Sequence, residues 1–428
     1  MTFQHFDEAK TAAETAVKKW LGGTPEVTKA LLVRDLFGKF SLAVWSSDSP
    51  ETATVQQELR KECGPWWTDE VLHVEQADDV TRDLYTQSSN QARRDADEPR
   101  LVVLDRHRNR TAWFTEEAGP LWGALDPGPP LVVFYSFKGG LGRSTILASF
   151  AIQRARAGER VCVFDLDLDS PGVGRLLAAD EQGLTASWGV VDFLLEQSAG
   201  DSSLSDYFHR CDRVAGAGEI LVFPAGRITD AYPDKLARID MDEAPPSSKS
   251  GLARLLTRAR DELKPQCILL DARTGISESA GRLLSGIAHL HVLLGTTQEQ
   301  SWEGLNLVLD RLGKEHVVGG RPQADAILVQ AMVPAGPAGQ VARDAFLAQA
   351  EQAFTDRYYA DADEDDDAMW SVRDLDSRDA PHRPIPVDYD AKLASFGDIA
   401  EIVDGLCVGP FAEIAERIEA RFASEAEA

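Results

Sequence analysis

Phe137-Lys138-Gly139-Gly140-Leu141-Gly142-Arg143-Ser144-Thr145 follows an unbroken apolar run, Leu131–Tyr135, and leads into helical periodicity from about Ser144 to Ala157. A strand that ends in glycines and turns directly into a helix is what a phosphate-binding loop requires. Glycines let backbone N–H groups turn inward around an anion, and the following helix presents its positive N-terminus to the same charge. A basic side chain, Arg143, stands next to that helix, and the hydroxyl of Ser144 follows it, suited to a Mg²⁺ ion. A glycine-rich turn alone says little; strand, loop, basic residue, hydroxyl and helix in this order say much more.

Outward from the loop the chain repeats strand and helix. Arg160–Phe164 reads as the next strand and ends in Asp165, and further strands are expected at Glu219–Phe223, Cys267–Leu270, Leu290–Leu294 and Ala326–Val329. Helical stretches, among them Gly251–Leu263 and Ser301–Leu312, separate most of them. Apolar runs without polar alternation mean strands buried on both faces, hence an α/β fold with a mostly parallel sheet flanked by helices. Upstream, Asp-Pro-Gly-Pro-Pro at 126–130 forms a stiff, helix-hostile joint. Before the joint come a helical opening, Phe6–Leu21, and strand-like runs at Ala30–Val33, Phe40–Trp45 and Arg100–Leu104. The chain is therefore expected to hold a smaller N-terminal α+β domain over 1–125 and the α/β domain over 126–428. No catalytic spacing occurs in the first; Asp105, Arg106 and His107 read as a turn with exposed charges.

Composition sets limits on partners. The 428 residues carry a net charge of −26, with 43% hydrophobic and 27% charged residues, as in a globular protein. Anionic membranes and DNA both repel such a chain, so nonspecific nucleic-acid binding and membrane association are not expected. No run reaches the ~18–20 apolar residues of a membrane helix, and Met1 to Lys19 has no apolar core of a secretory signal. Cys63, Cys162, Cys211, Cys267 and Cys407 are scattered singly, which suits the reduced thiols of a cytoplasmic protein. Residues 351–380 hold eleven acids against three arginines, with Asp363 to Asp367 in one run, and read as a solvated acidic insertion. A docking site for a basic partner, or a regulatory tether over the phosphate-binding site, is the sharper alternative there. The Pro410–Phe422 helix places Phe411, Ile414, Ile418 and Phe422 on one stripe, which suits packing against the sheet better than a membrane surface. His289 and His291 share one strand face without a third ligand nearby in sequence, and read as a structural pair.

Two acidic segments complete the pattern. Asp165-Leu166-Asp167-Leu168-Asp169-Ser170-Pro171-Gly172 follows the second strand of the α/β region, and Cys267-Ile268-Leu269-Leu270-Asp271 is four apolar residues closed by an acid. Carboxylates at strand ends suit Mg²⁺, which prefers hard oxygen ligands, and suit the orientation of an attacking water.

With these residues in view, Lys-Gly-Gly-x-Gly-[Lys/Arg]-[Ser/Thr] resembles the deviant Walker A motif of the MinD/ParA class of P-loop ATPases. Arg143, in place of the usual lysine, resembles the KGGVGR-motif variant subgroup. The resemblance covers roughly residues 131–425 and leaves the N-terminal domain outside. It implies ATP with Mg²⁺, held by Gly139, Gly140, Leu141, Gly142, Arg143, Ser144 and Thr145, with Ser144, Asp165 and Asp271 at the metal. It also implies that Lys138 reaches the nucleotide of a partner subunit in an ATP-dependent homodimer, and that Asp167 positions the attacking water. Ala272-Arg273-Thr274-Gly275 resembles the Asp-x-Arg-Thr-Gly continuation of the subgroup, with Arg273 facing phosphate, the acidic loops or the partner. Phe223-Pro224-Ala225-Gly226-Arg227 and Gly295-Thr296-Thr297-Gln298 are softer matches, and Gln330 with Ile385-Pro386 lies where class members form the base pocket. Arginine is bulkier than lysine and grips phosphate bidentately, so binding is expected to survive and hydrolysis to be slow or stimulated by a partner.

The function implied is a nucleotide-dependent dimerisation switch that signals to a protein partner, in a bacterial signalling or conflict system. A nucleotide-binding pseudo-ATPase scaffold and a P-loop kinase or ligase are the alternatives. The tail from Leu406 onward has no tyrosine, unlike the tyrosine cluster of the bacterial kinases.

Overall fold

The computed structural model describes residues 6–46, 50–106, 113, 120–123, 126, 128–196, 203–239, 250–313, 324–360 and 369–423. The chain divides into two compact units, Met1–Asn109 and Arg110–Ala428. That division lies ahead of the 126–130 joint because Trp113 and Trp122 belong to the second unit. The Trp122 side chain is buried there and donates its indole N–H to the Pro129 carbonyl at 2.8 Å, while Trp113 donates to the Ser277 carbonyl at 2.6 Å.

The first unit is a five-stranded sheet in the order β3-β2-β1-β5-β4. Its strands are β1 (Val27–Arg34), β2 (Phe40–Ser46), β3 (Trp67–His73), β4 (Arg93–Arg94) and β5 (Leu101–Asp105). Alternate residues of β1 enter two cores: Ala30 and Leu32 pack with Ala9, Ala13 and Val17 of helix α1 (Phe6–Leu21), while Leu31 and Val33 pack with Val74 and Val102 on the other face. The period-2 pattern of a strand and the 3–4 spacing of a helix make this possible. Asp105 pairs with Lys10 at 3.0 Å, and Arg106 donates its backbone N–H to the Arg34 carbonyl; His107 lies outside the described residues.

The second unit carries the eight-stranded sheet β13-β12-β11-β6-β10-β7-β9-β8. These are β6 (Leu131–Ser136), β7 (Arg160–Leu166), β8 (His209–Arg210), β9 (Glu219–Phe223), β10 (Cys267–Ala272), β11 (Leu290–Gly295), β12 (Asp325–Val333) and β13 (Ile385–Asp388). All pairings are parallel except that of β8 with β9. The fold is α/β, as the apolar runs imply. Leu131, Val133, Cys162, Phe164, Ile268 and Leu270 face one core and Val132, Phe134, Val161, Val163 and Leu269 face the other, so neither face of the sheet meets water. Helix α2 (Arg143–Arg156) and the Pro410–Ala423 helix cover the second face, the latter through Phe411, Ile414 and Ile418.

Part of the acidic stretch 351–380 is ordered rather than a solvated loop. Its start is the end of the Pro337–Arg357 helix, Tyr358 and Tyr359 are fully buried, and the indole N–H of Trp370 donates to Asp325 at 2.9 Å. The aromatic residues fix these ends in the core; the run Asp363 to Asp367 lies outside the described residues. His289 accepts the Leu131 N–H at 3.0 Å, and His291 is buried between the Asp325 and Leu283 carbonyls. Four cysteines are buried and Cys407 is half-buried, all as free thiols. Among the described residues no helix is long and apolar enough to cross a membrane.

Candidate functional site

The loop between β6 and α2 sits at the carboxyl end of the sheet, where the parallel strands all point. Gly140 (φ 77°) and Gly142 (φ 82°) adopt left-handed backbone that a β-carbon strains, which lets the chain double back before the helix begins. Phe137 anchors the near end of the loop: its ring fills the space a side chain at Gly304 would need, on the Glu299–Leu312 helix. The Ser136 hydroxyl donates to the Lys138 carbonyl at 2.9 Å, and the Lys138 ammonium donates to the Gln298 side-chain oxygen. Gly139 and Gly140 are exposed, while Leu141, Gly142, Ser144 and Thr145 are half-buried.

Beneath the loop three carboxylates converge from neighbouring strands. Asp271 lies near the end of β10 and is fully buried; Asp165 lies near the end of β7 and Asp167 just beyond it, 1% and 6% exposed. Arg143 turns inward onto them, donating from Nε to Asp271 at 2.5 Å and from Nη2 to Asp167 at 3.0 Å, and Ser144 donates its hydroxyl to Asp271 at 2.6 Å. Asp165 accepts the backbone N–H groups of Gly172 and Gly174 at 3.0 and 3.1 Å. Burial pushes the Asp165 carboxyl up to about 8, with the negative charge of Asp271 adding to the effect. Burial also pushes Asp271 above the usual carboxylate range, against the pull of Arg143 and Ser144. Arg143 remains the cation of the cluster, since the two acids offset the cost of burying it.

This donor set fits Mg²⁺. Three buried carboxyl groups converge beside one guanidinium, and the burial and mutual repulsion that push Asp165 and Asp271 up would be relieved by a bound cation. Asp165 Oδ1 and Asp167 Oδ1 are buried without a hydrogen-bond partner, and so is Arg143 Nη1. Hard oxygens that lack a proton donor suit a hydrated divalent cation, and an unused guanidinium N–H suits a phosphate oxygen. No group of three or more His, Cys, Asp or Glu among the described residues is arranged to hold a metal alone; Mg²⁺ usually keeps several waters and takes one or two carboxylates.

The remaining sequence-derived residues separate. Arg273 forms an ion pair with Asp169, so it faces the acidic loop after β7. Gln330 is buried and donates to the Ala342 carbonyl at 2.9 Å, and Pro386 stands opposite it in the β12–β13 pairing. Neither lines the open cleft beside the loop, which is formed by Leu141, Gly142 and Thr145 with Met332, Val387, Asp388 and Tyr389. Met332 has left-handed backbone (φ 58°), and it and Tyr389 are exposed at the cleft. Sequence reasoning reached the strand ends but not these side chains; the aromatic residue three positions after Pro386 was the available signal. Gln298, which holds Lys138, stood in the Thr-Thr-Gln segment without an assigned partner.

No family model matches the chain, and no curated protein does. Solved structures do. A ParA family ATPase from Chlorobium tepidum is 16% identical, covering 67% of this chain and 96% of that one, with a TM-score of 0.43. The MinD cell division protein of Aquifex aeolicus is 14% identical, covering 69% and 97%, with a TM-score of 0.43. The pNOB8 ParA bound to nonspecific DNA is 17% identical, covering 69% and 99%, with a TM-score of 0.41. These are likenesses at low identity, and the reading of the site stands on its own residues.

Proposed function

We propose that the chain is a Mg²⁺-dependent ATP-binding protein of the MinD/ParA kind, with the Arg143 variant of the loop, that hydrolyses ATP slowly and uses it to switch between separate and dimeric states. The observation that carries this reading is the convergence of Ser144, Asp165, Asp167 and Asp271 under a glycine loop that opens a helix. In this reading the N–H groups of residues 139–145 surround the phosphates, and Arg143 leaves its two acids to grip them. Bound Mg²⁺ would neutralise phosphate charge, held through Ser144, Asp165 and Asp271. Asp167, freed from Arg143, orients the attacking water. Lys138, held on the exposed rim by Gln298, is free to swing toward a partner's nucleotide. Its output goes to a protein partner in a signalling or conflict system, since a net charge of −26 opposes nucleic acid and anionic membranes.

One observation favours a second reading. Arg143 is spent on Asp167 and Asp271, and a chain that keeps those pairs while binding ATP would be a scaffold without turnover. Sizing and phosphate release with ATP and Mg²⁺ separate the two. The switch requires a dimer only with ATP, a trapped dimer for Asp167→Ala, and no hydrolysis for Lys138→Ala. A wild-type monomer at saturating ATP without turnover in any variant supports the scaffold.

A further inference from the structure

The loops after β7 and β9 enclose a second cavity of about 520 Å³, lined by residues between 171 and 187, by 224–228 and by Asp165, with no contribution from residues 138–145. We propose that this cavity binds a small organic anion, a carboxylate or phosphate ester carrying an apolar group, as a second ligand beside the nucleotide site. The inference stands independently of the nucleotide reading.

The size falls in the range of small-molecule sites, roughly 300–1,000 Å³. Two arginines, Arg175 and Arg227, line it and are exposed, and neither guanidinium has a hydrogen bond or ion pair among the described residues. By contrast, the nearby Arg210 and Arg213 are both in ion pairs, with Glu219 and Asp398. A planar guanidinium matches the paired oxygens of a carboxylate or phosphate, and two unspent ones at one mouth favour an anion over a cation or a neutral ligand. Leu184 and Ile228, 60% and 70% exposed, add apolar surface to the same lining. A ligand with only charge would leave that surface in water.

The walls are built before any ligand arrives. Leu184 donates its N–H to Asp180 Oδ1 and accepts one from Ala179, both at 2.8 Å. Val190 and Val191 donate to the Pro224 and Ala225 carbonyls at 2.9 Å, joining the two loops, and a β-carbon on Gly189 would meet the Pro224 oxygen at 2.1 Å. A preformed pocket loses little ordering entropy on binding. Asp165 belongs to both sites, so the two ligands would lie on either side of one carboxylate.

Calorimetric titration of the full chain without nucleotide tests the proposal, with phenyl phosphate and benzoate as the two anions and phenol as the neutral control. Saturable binding of at least one anion and none of phenol is expected. The double variant Arg175→Gln, Arg227→Gln should weaken it by about tenfold or more, and Ile228→Glu should do the same by repulsion, both with wild-type melting temperatures. Phenyl phosphate alone binding names a phosphate ester, and benzoate alone a carboxylate. Absence of binding at millimolar concentration overturns the proposal. So does binding unchanged in the double variant, which would place the anion at the phosphate loop.

Discussion

Asp165 and Arg143 show two different solutions to burying charge under one loop. Arg143 keeps its charge by holding Asp271 and Asp167. Asp165 has only two backbone N–H donors, and burial pushes it up to about 8. An aspartate in an unfolded chain titrates near ~3.9, so between these values the folded chain holds a proton that the unfolded chain has released. The stability contributed is complete below about pH 4 and is lost as pH rises through about 8. Melting temperatures of the ligand-free protein are therefore expected to fall from about pH 5 to about pH 8, and less steeply in Asp165→Asn; equal slopes would assign the effect to another group. The loop and the acids were legible because each motif is local: glycines, hydroxyl and strand-end carboxylates are read within a few residues. The closing of Arg143 on Asp271 joins residues 128 apart in the chain, and no local pattern records it.

The strand–loop–helix element depends on one close approach. A β-carbon on Gly304 would lie 1.9 Å from the Phe137 ring, with the glycine on a helix that cannot retreat from the core through Leu305 and Val308. Gly304→Ala is expected to destabilise the protein by about 1–3 kcal/mol and to weaken ATP binding by displacing the loop. Phe137→Leu in the same chain should restore both, measured by denaturant unfolding and nucleotide titration; unchanged ATP affinity in Gly304→Ala would detach Phe137 from the loop's position. Elements of this kind divide by how strongly periodicity marks them. The central strands are continuous apolar runs and were legible. β3 begins Trp67-Thr68-Asp69-Glu70 and buries only Trp67, so it lacked the signal. The Pro337–Arg357 helix buries Phe346, Ala350, Ala353 and Phe354 but leaves its first half largely exposed, which hides the stripe that marks an amphipathic helix.

At the scale of the molecule, each unit has its own core: residues 9–103 supply one set of clusters and residues 122–418 the other. A chain restricted to residues 110–428 is therefore expected to melt in one cooperative transition and to bind ATP with the affinity of the full chain, checked by calorimetry; loss of binding in a folded unit would give the first 109 residues a part in the nucleotide site. The order of the sheet has a further consequence, in time rather than in space. β10 lies between β6 and β7 although it is made after both. While the ribosome adds the residues from Leu166 to Cys267, on the order of 5–20 s at usual elongation rates, the emerging chain carries a finished glycine loop and two strands with an open slot between them. Such unpaired edges are where nascent chains stick to one another. Asp271, the last acid of the site, then closes the slot and the proposed pocket in a single event, well before the chain is complete.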